Sequence, residues 1–346
     1  MELTTVWFIL IAVLWIGYFV LEGFDFGVGM LMPVVAKGEA ERRAVVTTLG
    51  PVWDGNEVWV LVAGGATFAA FPEWYATLFS GFYLPLFLIL VALILRGVAF
   101  EYRSKRSDGA WRVRWDAAIV FGSFLPALLW GVAFSNIVRG VPLAEAANGN
   151  IEYDGGLFNL LNPFAFLGGV TFVAIFATHG AIFLSLKTTG EIRERAYRVG
   201  MATGLVATVL AVAFLLWAQL AFSDKAWTWL PVLVAAVSWL ASLTMHRARR
   251  EGLAFTFSAL TIALAVVALF GMLYPNVMPN LNDGPSLTID NASSTDYTLT
   301  IMTWVAVIFT PLVLAYQAWT YWVFRKRVGA EHIAEAEAGS LDRVPA

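Results

Sequence analysis

The sequence predicts an all-α integral membrane protein of about nine transmembrane helices. Three observations carry that prediction: an apolar excess, nine apolar stretches of spanning length, and basic residues confined to alternate loops. Hydrophobic residues make up 59% of the 346-residue chain and charged residues 14%, with a mean hydropathy of +0.72. A soluble domain averages about 45–50% apolar and about 25% charged residues, so the solvent this chain is built for is lipid. There is no cysteine, which removes disulfides, thiolate metal sites and cysteine nucleophiles together. The net charge of −3 is spread in segregated blocks, and no basic nucleic-acid patch appears. Met1-Glu2-Leu3 lacks the basic start of a signal peptide, so the first apolar stretch is expected to remain as a helix.

A spanning helix needs about 20 mostly apolar residues. Stretches near 5–33, 44–70, 74–100, 113–136, 162–186, 197–221, 228–246, 253–274 and 299–325 meet that requirement. Pro72, Pro142, Pro163, Pro275 and Pro279 mark loops or helix starts, and the longest loops are expected near 137–161 and 275–298. Of the 22 Lys and Arg, 19 fall in the loops after the odd-numbered spans or in the tail. They run from Lys37, Arg42 and Arg43 through Arg103–Arg114, Lys187–Arg198 and Arg247–Arg250 to Arg325–Arg327 and Arg343. The opposite loops hold Arg139 and Lys225, and Arg96 lies inside a span. Positive residues favour the cytoplasmic side, so the N-terminus is expected outside and the C-terminus in the cytoplasm. Trp74, Trp111, Trp115, Trp227, Trp229 and Trp319 lie near span ends, where interfacial anchors belong.

Ionisable residues inside spans are costly and mark sites. Glu22 and Asp25 are three apart on the first helix and share a face, as do Asp54 and Glu57 on the second. Gly27 and Gly29 permit close helix approach. With a rise of about 1.5 Å per residue, Asp25 and Glu22 lie about 12 and 16 Å from the cytoplasmic end, and Asp54 and Glu57 about 15 and 20 Å. Arg96 is about one turn from that end and Glu101 sits at the surface. A polar line opening on one side and stopping near the midplane suits a proton relay; the same groups can also glue helices together. Arg96 can serve as counter-ion to Asp25 or Asp54, or snorkel outward. Asn56 can fix a network next to Asp54 or cap a bend. His246 and His332 lie at the cytoplasmic edge and in the tail, and His179 lies inside the fifth span. A buried His can ligate haem iron, although a lone His in a helix is more often a hydrogen-bonded core residue. One intramembrane His cannot supply several axial ligands, so any haem centre would need another subunit.

The stretches Glu22–Met30, Trp53–Trp59, Phe79–Tyr83, Arg96–Lys105, Leu161–Phe164 and Met302–Val305 resemble subunit II of cytochrome bd quinol oxidases along nearly the whole chain. That resemblance implies two four-helix bundles plus one peripheral helix. The divisions would be 1–136 for the first bundle and 137–161 for an outer loop. They continue with 162–274 for the second bundle, 275–298 for an outer loop, 299–327 for the ninth helix and 328–346 for a cytoplasmic tail. It further implies a heterodimer in the bacterial plasma membrane with a haem-bearing subunit I, often with a small single-helix accessory subunit. The b and d haems belong to the partner, quinol is oxidised near the outer face, and oxygen is reduced with protons from the cytoplasm. In some members a quinone sits in this subunit as a structural element, and lipid is a further candidate there. The proton entry route would be lined by Asp25, Trp53, Asp54, Trp59, Arg96 and Glu101. Glu101 stands where the family often has Asp, and Glu57 where it often has Gln. Two other readings compete: a proton-coupled secondary transporter with polar lining on both sides of the midplane, and a purely structural subunit.

Overall fold

A computed structural model describes residues 2–147 and 149–331. His332, Arg343 and the rest of the expected tail beyond 331 lie outside the described residues. Eleven α-helices account for most of the fold: α1 Leu3–Val35, α2 Glu39–Leu49, α3 Trp53–Ala70, α4 Pro72–Gly81, α5 Tyr83–Tyr102, α6 Gly109–Arg139, α7 Pro163–Lys187, α8 Gly190–Phe222, α9 Trp229–Arg247, α10 Glu251–Leu273 and α11 Asp296–Val323. Eight of these are long and apolar enough to cross a membrane, all but α2, α3 and α4.

Two expected spans are interrupted. The stretch 44–70 divides into α2 and α3 at Gly50–Val52, because Pro51 has no N–H to donate and its ring clashes with the preceding turn. The stretch 74–100 divides at Phe82, where Pro85 leaves the Gly81 carbonyl without its usual donor. Connectivity nevertheless makes α3 a crossing. Its predecessor α2 is clamped at one end of the molecule, where Glu39 pairs with Arg103 at 2.9 Å and Glu41 with Arg195 at 2.5 Å. Its successor α4 is tied to the opposite end, where the Thr77 hydroxyl donates to the Ile151 carbonyl at 2.6 Å. The 18 residues of α3 therefore run from end to end, about 27 Å at the helical rise. With α3, nine helices join the two ends among the described residues.

Both long loops contain short antiparallel ladders where only loops were expected. Strands β1 Leu143–Glu145 and β2 Ile151–Tyr153 pair with Leu143 opposite Tyr153, and β3 Asn276–Met278 pairs with β4 Leu287–Thr288. The two loops are stitched together, Val141 N–H donating to the Pro279 carbonyl and Leu281 N–H to that of Val141, both at 3.0 Å. Asn162 and Pro163 start α7 as cap and first-turn proline, the Asn162 side chain accepting from the Ala165 N–H at 2.9 Å.

Helix α1 is the hub. It packs on α3, α6, α7 and α10, while α5 lies on α6, α7 on α6 and α8, and α9 on α10. Helix α11 lies outside this set against α1 and α3 and fully buries only Leu299. The expected close approach at Gly27 is real: α1 and α7 cross there against Gly180, where an added Cβ would sit 2.5 Å from the Gly27 and Val28 backbone. Gly180→Ala should force the helices apart and cost about 1–3 kcal/mol. Gly252→Ala, which meets nothing within 4 Å, should not. Melting temperatures of the purified protein check the pair.

Toward the loop end, Trp15, Tyr18, Phe19, Trp130, Phe134 and Phe172 form a dense aromatic layer, with Trp15 and Phe134 centroids 4.8 Å apart and Phe19 and Phe172 5.2 Å apart. Trp74, expected as an interfacial anchor, is instead buried in this core, because α4 folds inward under the loop ladder.

Candidate functional site

Glu22 and Asp25, one turn apart on α1, face inward and are wholly buried, as are Asn56 of α3 and Arg96 of α5. Arg96 does not snorkel. Its Nη2 binds Glu22 and also donates to Glu57 Oε2 at 3.1 Å, so the guanidinium bridges α1 and α3. Its counter-ions are thus Glu22 and Glu57 rather than Asp25 or Asp54. The guanidinium also lies over the Phe26 and Phe100 rings at 4.7 and 5.8 Å, a cation–π arrangement that strengthens once water is excluded. Gly122 of α6 lets the neighbouring backbone close onto Arg96. Asp25 Oδ2 accepts from Asn56 Nδ2 at 2.7 Å, so Asn56 serves Asp25 and not Asp54. Glu22 Oε2, Asp25 Oδ1, Arg96 Nε and Nη1 and the Ser123 hydroxyl are buried with no hydrogen-bond partner among the described residues.

Asp54 and Glu101 do not join this cluster. Because α3 starts at Trp53, Asp54 lies in its first turn, well short of the depth expected from a helix beginning at 44, and it is exposed. Glu101 is in the last turn of α5, also exposed. Asp54 instead lines an open groove of about 730 Å³ between α3 and α5, together with Trp53, Glu57, Gly64, Leu90 and Gly97. Glu57 belongs to both places: its side chain is 23% exposed to the groove and holds Arg96. Trp53 packs on Phe100 at 5.3 Å.

Three participants, Gln317, Tyr321 and Ser123, come from the tertiary structure. Trp59 Nε1 donates to Gln317 Oε1 at 2.8 Å, Gln317 Nε2 donates to Asn56 Oδ1 at 3.1 Å, and the Tyr321 hydroxyl donates to the same oxygen at 2.8 Å. Gln317 and Tyr321 lie on α11, and Ser123 lies on α6. The amide of Gln317, set in an otherwise apolar span, was the available signal.

His179 is fully buried and committed on both ring nitrogens, Nδ1 to the Ser258 hydroxyl at 2.7 Å and Nε2 to the Val20 carbonyl at 3.1 Å. Its ring stacks on Phe255 at 4.6 Å. An axial haem ligand needs a free ring nitrogen directed at iron, so this residue does not fit that role. Among the described residues no group of three or more His, Asp or Glu side chains is placed to hold a metal ion.

This geometry has relatives. The family model for cytochrome bd terminal oxidase subunit II matches residues 3–324. The probable cytochrome oxidase subunit 2 of Haemophilus influenzae is 40% identical over 361 residues, covering 95% of this chain and 96% of that protein. The cytochrome bd ubiquinol oxidase subunit 2 of Bacillus subtilis is 39% identical over 335 residues, covering 94% and 97%. The cytochrome bd-I ubiquinol oxidase subunit 2 of Escherichia coli K12 is 37% identical over 362 residues, covering 95% and 96%. The bd oxidase structure from Geobacillus thermodenitrificans has the same fold, with a TM-score of 0.76 at 17% identity over 94% of this chain and 99% of that one. The all-α membrane fold and the match over nearly the full length agree, and the chain belongs to the cytochrome bd terminal oxidase subunit II family.

Proposed function

We propose that this chain, as subunit II of a quinol-oxidising, oxygen-reducing complex, supplies protons from the cytoplasmic side to a haem-bearing subunit I. The observation that carries this reading is a one-sided polar line. It runs from Asp54 in the groove, through Glu57, to the buried set of Arg96, Glu22 and Asp25. The aromatic layer of Trp15, Tyr18, Phe19 and Trp130 closes it toward the loop end. Three carboxylates surround one guanidinium. Two negative charges are thus left for protons or water to balance, and uncompensated charge in a low-dielectric interior is prohibitively costly. A site that must take up and pass on protons has this stoichiometry. The end bearing the paired basic residues faces the cytoplasm in this reading.

A secondary transporter working alone needs access from both sides of its site, and the aromatic layer argues against it. A carboxylate facing lipid is costly, and Asp54 opens onto a largely apolar groove wall. Its groove is therefore a face for a partner subunit or for water. The haems, of b and d type, sit in subunit I, and no step here runs through them. His179→Gln is accordingly expected to leave the haem-to-protein ratio of the complex unchanged, as read from reduced-haem spectra. The function itself is tested by oxygen uptake with quinol in the purified complex carrying Asp25→Asn or Asp54→Asn at equal haem content. Lost turnover with intact spectra supports proton supply through this chain, and full turnover in both reduces it to a scaffold.

A further inference from the structure

The peripheral helix α11 packs Leu299, Met302, Ala306 and Tyr321 on the apolar core and is fixed in place by polar contacts. Besides the bonds from Gln317 and Tyr321 to Asn56, the Trp7 indole N–H donates to the Leu299 carbonyl at 3.2 Å and to the Thr303 hydroxyl at 3.1 Å. The contacts around Asn56 have a logic set by donor chemistry. An indole Nε1–H can only donate, whereas a side-chain amide presents a carbonyl on one side and an NH₂ on the other. Trp59 therefore requires the carbonyl of Gln317 to face it, which turns the Gln317 NH₂ toward Asn56. Asn56 must answer with its carbonyl, which turns its own NH₂ onto Asp25, 2.7 Å away. The Tyr321 hydroxyl, able to donate or accept, fits this order without imposing it. The Trp59 ring that starts the sequence is seated against Gly17 of α1, where any Cβ would strike it.

We infer that Trp59, Gln317 and Asn56 are positioning residues for Asp25: a donor-only indole sets two amides in turn, so that an N–H is always presented to the Asp25 carboxylate. Helix α11 thereby acts as part of the acidic site rather than as packing at its edge. The inference rests on the reading that Asp25 carries protons, and it names what holds that group in an acceptor state. A hydrogen bond to the ionised form of a carboxylate favours that form. Without Gln317 to fix it, Asn56 is held in this orientation only by the Leu21 carbonyl, 3.4 Å from its NH₂, and by the Tyr321 hydroxyl, and it turns over more often; a carboxylate then facing a carbonyl oxygen is satisfied only when a proton sits between them. The other charged groups nearby, Glu22 on α1, Glu57 on α3 and Arg96 on α5, are untouched by changes at Trp59 or Gln317.

The test uses the assembled complex and infrared difference spectroscopy at neutral pH, the Asp25 band being the one lost in Asp25→Asn. The wild type is expected to show Asp25 partly as a carboxylate, the share that the Asn56 N–H sustains. In Trp59→Phe, which keeps the ring and removes only the N–H, and in Gln317→Met, part of that band should convert to a protonated carboxyl stretch. Oxygen uptake should fall severalfold in both variants with haem content unchanged. A wholly protonated Asp25 in the wild type, or an identical band in wild type and both variants, overturns the inference. Should the band respond while Asp25→Asn retains full oxygen uptake, the positioning stands and the proton-supply reading fails.

Discussion

Arg96→Leu is expected to remove the complex from the membrane almost entirely. The substitution leaves Glu22 and Glu57 facing each other across a site with no cation, and Glu22 has no exposure to water. Removing one partner of a buried ion pair costs about 3–5 kcal/mol, because the remaining charge stays desolvated. A folded protein is stable by only about 5–15 kcal/mol, so the loss takes a large share of the margin. Arg96→Lys keeps the charge but offers one compact ammonium where the guanidinium reaches both α1 and α3. It should recover part of the yield and melt below wild type. The yield of haem-containing complex per gram of membrane, with the melting temperature of what is recovered, measures both. Wild-type yield from Arg96→Leu would mean that the carboxylates are neutral and that the cation contributes nothing.

Asp25→Asn is expected to act in the opposite way, leaving the complex intact and stopping its work. Asparagine has the shape of aspartate, and its carbonyl can still accept from Asn56 Nδ2, so the helix packing has no reason to change. What it cannot do is hold and release a proton. Positioned proton-transfer groups contribute about 10²–10⁴-fold to rates, so turnover should drop by about 10²-fold or more at unchanged haem spectra. Asp54→Asn separates entry from relay. Asp54 is exposed in the groove, with no protein partner on its carboxylate among the described contacts, so water can substitute for it and its loss should slow turnover less than that of Asp25. Equal, severe losses from both would place the controlling step at the groove.

The membrane class, the nine crossings and the clustering of ionisable groups were legible because each depends on one-dimensional pattern. Apolar run length answers to bilayer thickness, basic residues alternate with crossings, and Glu22 and Asp25 share a face at any helical spacing of three. Gly27 was legible for the same reason, since a residue without a Cβ inside a span marks contact between backbones. The break at Pro51 was written in the chain too, but the apolar run across it was long enough to hide it. Once α3 begins at Trp53, Asp54 moves out to the first turn and Glu57 turns inward.

Partner choice was decided by the tertiary structure alone. Spacing places Arg96 near several carboxylates with equal claim. Only the approach of α6 through Gly122, and of α1 to α3, settles that it bridges Glu22 and Glu57. His179 is a core residue because Ser258 and the Val20 carbonyl, 79 and 159 positions away, meet its two nitrogens. Gln317 and Tyr321 reach Asn56 across more than 260 positions. By itself the sequence determined that this chain spans a membrane with an acidic site in it, since burial of apolar runs and the cost of charge in lipid are local properties. Which acid faces a base, an amide or an open groove was decided only by the fold, since a hydrogen bond depends on direction and on contacts that no local pattern encodes.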